Sequence, residues 1–118
     1  MARILRGEEL ARFLSGLIHA PKQVGPLSVD LTLHALFRPS RQGSLDFGGG
    51  EYAPAVRDAL PARKRRPEEN YGWWEAEGGV YLMEYNESLS LPAGFLSVLH
   101  PHERILEAGA FHPTLVLV

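Results

Sequence analysis

Four groups of residues have types and spacings that could do chemistry. Asp30 stands inside the alternating apolar segment Ser28-Val29-Asp30-Leu31-Thr32-Leu33. A carboxylate there either faces solvent, opposite Val29 and Leu31, or is held by a metal or a paired donor, because an unpaired buried charge is costly. The pattern alone favours the solvent-facing position. His100-Pro101-His102, with His112 nearby, could turn two imidazoles to one side of a strand. Pro101 between them and the lack of a third ligand at fixed spacing favour ordinary surface histidines. Arg63-Lys64-Arg65-Arg66, between Pro61 and Pro67, could grip phosphates. Its plainer reading is a solvated loop, diluted by Glu68 and Glu69. Trp73, Trp74, Tyr81 and Tyr85 could stack on bases, but aromatics in a β-domain more often pack against neighbouring strands.

The elements that must position these residues are one helix and a series of short strands. Leu10, Phe13, Leu14, Leu17 and Ile18 recur at helical spacing and predict a helix over residues 6–19, with Glu8 and Glu9 in its first turn and Pro21 closing it. After Pro21 the chain reads as strand and turn. The alternation of 28–33, extended by Ala35-Leu36-Phe37, predicts a strand. A turn-rich stretch surrounds Leu45-Asp46-Phe47, and residues 53–71 read as a long polar connection. Strands are predicted at 80–85, 89–91, 95–99 and 114–118, with a helical turn from Glu103 to Ala108 closed by Gly109. One helix followed by short strands and Gly/Pro turns implies a sandwich or barrel.

Composition limits the classes. The chain has 118 residues, 45% apolar and 22% charged, which suits one globular domain spanning 1–118. A net charge of -2 does not point to nucleic acid or an anionic membrane, so neither is expected as a partner. There is no cysteine, hence no disulfide, thiolate metal site or cysteine nucleophile. No apolar run reaches the roughly 20 residues that span a bilayer, and residues 1–4 lead straight into a charged segment without a signal-peptide core. These features predict a soluble cytoplasmic protein. Arg outnumbers Lys ten to two, which fits either a heat-adapted protein or a GC-rich genome.

Three segments together resemble the dUTPase and dCTP deaminase superfamily, most closely its archaeal-type branch. Gln23-Val24-Gly25-Pro26-Leu27-Ser28-Val29-Asp30-Leu31-Thr32-Leu33 is similar to the first motif of that family. Ser44-Leu45-Asp46-Phe47 resembles a short strand between the motifs. Gly72-Trp73-Trp74 and Tyr81 to Gly94, with Tyr85-Asn86-Glu87 and Leu91-Pro92, resemble the segment before the second motif. The likeness runs from the helix to about Phe111. It implies a mainly β fold of the β-clip or jelly-roll-like kind with one N-terminal helix, assembly as a homo-oligomer, and a deoxypyrimidine nucleotide as ligand. By the same resemblance Asp30 would hold magnesium through water, and Ser28 and Arg104 would bind nucleotide or phosphate.

The departures from the family pattern imply lost chemistry. At the second motif the family carries an arginine and two serines; here stand His102, Glu103 and Arg104, and Glu107 replaces a further arginine. Glu103 sets a carboxylate where phosphate oxygens would lie, a repulsion of about 4 kcal/mol per charge pair at an effective dielectric near 20. The third motif, which supplies the family's water-activating aspartate, is not found; the residues after Thr114 are Leu115-Val116-Leu117-Val118. The expectation is therefore a shortened, degenerate family member without the parent catalysis. It would bind a deoxynucleotide or act through protein contacts, including with a full-length paralogue. The alternative is an active pyrophosphatase or deaminase using substitutes: His102 or Glu103 as base, Asp30 on the metal and Arg104 on phosphate.

Overall fold

A computed structural model describes residues 1–118. The chain is mainly β, with seven short strands and three short helices. Its contacts divide it into two units, Met1–Thr32 with Asn86–Val118, and Leu33–Tyr85.

In the first unit the predicted helix of 6–19 is broken in two. Helix α1 spans only Gly7–Ala11, strand β1 is Leu14–Ser15, and helix α2 is Ala20–Gln23. The helix stops at Arg12 where Leu14 and Ser15 pair with Leu89 and Ser88 as a strand, and Gly16, at φ 84°, keeps it from resuming. Pro21, expected to end a helix, instead lies in the first turn of α2, where its missing N–H costs nothing. The apolar stripe still packs. The rings of Phe13 and Phe95 meet edge to face at 5.1 Å. At the start of α1, Glu9 accepts the Arg6 N–H at 3.2 Å and pairs with Arg3 at 2.9 Å. The hydrogen bond from Arg3 is the main reason the Glu9 carboxyl titrates below its ordinary value.

β1 pairs antiparallel with β5 (Ser88–Leu89), Leu14 opposite Leu89. Strand β6 (Ser97–Leu99) pairs antiparallel with β7 (Leu115–Leu117), Val98 opposite Val116. Between them lies α3, Glu103–Glu107, as the sequence predicts. It ends in a Schellman closure: Ala110 N–H donates to Ile105 O and Gly109 N–H to Leu106 O, both at 3.0 Å, with Gly109 at φ 88°.

The second unit is a three-stranded antiparallel sheet in the order β3-β2-β4, made of β2 (Leu33–Arg41), β3 (Val56–Ala59) and β4 (Leu82–Tyr85). Leu36 is its buried apolar side chain. The strand predicted at 28–33 is displaced: the ladder begins at Leu33, and residues 28–32 run extended with one bridge, Val24 to Val29. Strand β3 falls inside the stretch read as a polar connection. Its side chains are all exposed, so no buried face marks it in the sequence. Around Leu45-Asp46-Phe47 only Ser44 forms a bridge, to Ala53.

Gly7 is the tightest point of the first unit. Its N–H donates to Pro26 O at 2.9 Å, and a methyl group there would overlap the Gly25 carbonyl oxygen. Gly7→Ala is expected to cost about 1–3 kcal/mol and to lower the thermal midpoint by several degrees. Gly78→Ala, whose methyl would meet open space, is the control and should leave the midpoint within a degree or two.

Candidate functional site

The first unit is organised around polar side chains. Its two buried side chains are Gln23 and Glu87, 5% and 8% exposed. Glu87 arrives just before β5, and its carboxylate accepts the Thr32 N–H at 2.9 Å, the Thr32 hydroxyl, and Gln23 Nε2 at 2.9 Å. The Thr32 hydroxyl accepts from Asn86 Nδ2 at 2.9 Å, and Asn86 N–H donates to Thr32 O at 2.9 Å. Both carboxylate oxygens are thus satisfied, which is what makes a buried charge tolerable without a cation beside it.

Gln23 connects this network to Asp30. Its backbone carbonyl accepts the Asp30 N–H at 2.8 Å, and its Nε2 donates to Asp30 O at 2.9 Å. Its Oε1 accepts the His19 N–H at 2.8 Å, which ties it to the start of α2. Asp30 is therefore held on both sides of its backbone by one residue, and its carboxylate is left outside the network.

That carboxylate meets His102. Asp30 Oδ2 lies 3.5 Å from His102 Nε2, with the side chains 46% and 38% exposed. His102 is also the N-cap of α3: its Nδ1 accepts the Arg104 N–H at 3.1 Å. The Nδ1 lone pair is thereby used, so the neutral ring carries its hydrogen on Nε2, facing Asp30. Glu103 and Arg104 are exposed at the start of α3, and Ser28 is exposed with its carbonyl accepting the Gly25 N–H at 2.8 Å. The fold brings Asp30 and His102 together. Of the other histidines, His100 and His112 turn Nδ1 toward the carbonyls of Pro101 and Pro113, and no group of three or more His, Cys, Asp or Glu gathers to hold a metal.

Magnesium fits this arrangement in one form. The ion commonly takes one carboxylate together with waters and the phosphates of a nucleotide. Asp30 offers one half-exposed carboxylate, a single ligand that an ion could take only together with waters or other oxygens. His102 works against it, because its Nε2–H faces the same carboxylate.

Of the residues that the sequence singles out, Asp30 and His102 are the two that the structure brings together, and the buried positions of Gln23 and Glu87 are not among them. Both stand inside the resembling segments, so the signal was position within a motif. Nothing in their residue type marks them as buried.

A mainly β chain with a polar network behind a carboxylate and an imidazole is the class this geometry defines. Comparison with known proteins gives it a distant relationship to the dUTPase-like superfamily. The chain is 25% identical over 103 residues to the "Probable deoxyuridine 5'-triphosphate nucleotidohydrolase" of Methanosarcina mazei, and equally so to those of Methanosarcina barkeri and Methanosarcina acetivorans. The match covers 87% of this chain and 57% of each relative, so the chain spans little more than half the length of the relatives it matches. No family model matches, and no solved structure matches.

Removing the buried acceptor tests the network. Glu87→Ala strands the Thr32 N–H and the Gln23 amide, and is expected to cost about 3 kcal/mol in urea unfolding. Glu87→Gln keeps one acceptor oxygen and should cost about half as much. A loss below about 0.5 kcal/mol for Glu87→Ala would mean that water replaces the carboxylate and the network does not hold the unit.

Proposed function

We propose that this chain is a dUTPase-like domain of the β-clip or jelly-roll-like kind that binds a deoxynucleotide and does not hydrolyse it on its own. The observation that carries this reading is the state of His102. Nδ1 accepts the Arg104 N–H and Nε2 faces Asp30, so the imidazole has no free lone pair with which to take a proton. Asp30 is engaged by that imidazole from within its own chain. Arg104, exposed in the first turn of α3, is the cation placed to meet a phosphate, and Glu103 beside it opposes a highly charged one. Magnesium, when bound, neutralises phosphate charge; Asp30 would hold it through water, and the chain's own residues orient the nucleotide.

The alternative, active hydrolysis or deamination through substitute residues, rests on Glu103. It is the one remaining base among the candidates, and it stands exposed in the first turn of α3.

Assembly belongs to the same reading. Val98 and Val116 are paired across β6 and β7 and both are exposed, as are Leu96, Leu106, Leu115 and Val118. An apolar two-stranded ribbon of this kind is covered when a second copy packs on it. No helix is long and apolar enough to cross a membrane. With no cysteine in the chain, a reducing cytoplasm is the compartment that suits this reading.

The test is pyrophosphate release from dUTP, and ammonia release from dCTP, with magnesium present, alongside dUMP binding by calorimetry and molar mass by light scattering. The expected result is dUMP binding that weakens severalfold in Arg104→Ala, no turnover above background, and a mass above that of one chain. Turnover abolished by Glu103→Gln in a folded protein would replace this reading with the active one.

A further inference from the structure

The second unit carries a feature that the site at Asp30 does not use. Arg63, Lys64, Arg65 and Arg66 are consecutive and all exposed. The three ion pairs of the chain are Arg3 with Glu9, Arg38 with Glu77, and His102 with Asp30, so none of these four cations has a carboxylate partner. Glu69, three residues after Arg66, bonds to the loop backbone: its Oε2 accepts the Arg65 N–H at 2.9 Å and its own N–H donates to Arg66 O at 3.1 Å. It shapes the loop without forming an ion pair with any of the four cations.

The loop is pinned at its base and backed by aromatic rings. Arg63 and Trp73 exchange both backbone hydrogen bonds, at 2.9 and 2.7 Å. The Arg65 guanidinium lies 4.0 Å from the Trp73 ring centroid, a cation–π stack that holds this cation over the ring. Tyr71 meets Trp73 edge to face at 5.8 Å and is 64% exposed, with Trp73 itself 37% exposed. Leu60, Pro61, Arg63, Trp73 and Glu75 line a hollow of about 240 Å³ next to the same ring.

We propose that this loop and its two aromatic rings bind single-stranded nucleic acid. A row of unpaired cations fits a chain of phosphates, and exposed rings among them offer stacking faces to bases. An acidic polypeptide would use the cations but has no planar groups for Tyr71. A duplex would use the cations but keeps its bases stacked inside. The net charge of -2 gives the whole chain no attraction for nucleic acid. The contact is therefore local, and its strength falls steeply with salt. With four phosphates neutralised, the logarithm of the association constant should fall against the logarithm of salt with a slope of about -3.

The experiment is fluorescence anisotropy with labelled oligo-dT, a duplex of matched length and polyglutamate, using the full chain. The expected result is binding of oligo-dT with that slope, and weaker binding of the duplex and of polyglutamate. Replacing Arg63, Lys64, Arg65 and Arg66 together by serine should abolish it. Tyr71→Ala should weaken it at least fivefold, and Tyr71→Phe, which keeps the ring on Trp73, should restore most of the binding. No binding at low salt would overturn the proposal. So would equal binding of polyglutamate, or binding that Tyr71→Ala does not change. Asp30→Asn and Arg104→Ala should leave it unaltered, which keeps this inference separate from the nucleotide site.

Discussion

The buried carboxylate of Glu87 is the constraint on which the first unit depends. Small domains usually close on apolar side chains, but here the two buried side chains are Gln23 and Glu87. A carboxylate in that position is unfavourable unless donors surround it, and Thr32 and Gln23 supply them. Thr32 and Asn86 are also where the chain leaves the first unit and where it returns to it. The hydrogen bonds of Asn86 and Glu87 to Thr32 therefore fasten the two crossing points to each other, 54 and 55 residues apart in sequence. A polar fastening is directional, so it sets geometry more narrowly than an apolar contact of similar size.

That directionality reaches the candidate site. Gln23 donates through Nε2 to the Glu87 carboxylate and to Asp30 O, and its Oε1 accepts the His19 N–H at the start of α2. Asp30 is thus fixed in its main chain while its carboxylate stays half exposed beside His102. His102 is fixed by a different device, the cap it provides to α3, with the Schellman closure setting the other end of that helix. Each member of the pair is positioned by backbone interactions, and the tautomer of His102 follows from the cap. The proposed loss of catalysis is a consequence of that cap, since a ring nitrogen that caps a helix is not available as a base.

Much of this was legible in the sequence, and the failures have physical causes. The strands at 82–85, 97–99 and 115–117 and the helix at 103–107 follow from apolar runs bounded by Gly and Pro. The helix over 6–19 failed because contacts far away in sequence take its second half: Leu14 and Ser15 pair with Leu89 and Ser88, Phe13 packs on Phe95, and Gly16 at φ 84° cannot continue a helix. Strand β3 was invisible because its side chains are all exposed, so periodicity had nothing to report. The pattern around Asp30 favours a solvent-facing carboxylate; in the structure that side chain is 46% exposed with His102 Nε2 3.5 Å away, a neighbour no local pattern reports. Glu87 stands out in the sequence only as part of a motif. Its burial depends on Thr32 and Gln23, far away in sequence, and no local pattern reports that.

The most direct test of the account is the protonation of the two His102 ring nitrogens, read by long-range proton–nitrogen correlation NMR at a pH well above the ordinary imidazole value. If the helix cap sets the tautomer, hydrogen is on Nε2 and Nδ1 is unprotonated and shifts when α3 is shortened at its start. Hydrogen on Nδ1, or rapid averaging between the two nitrogens, would contradict it, because the imidazole would then be free to act as a base beside Asp30.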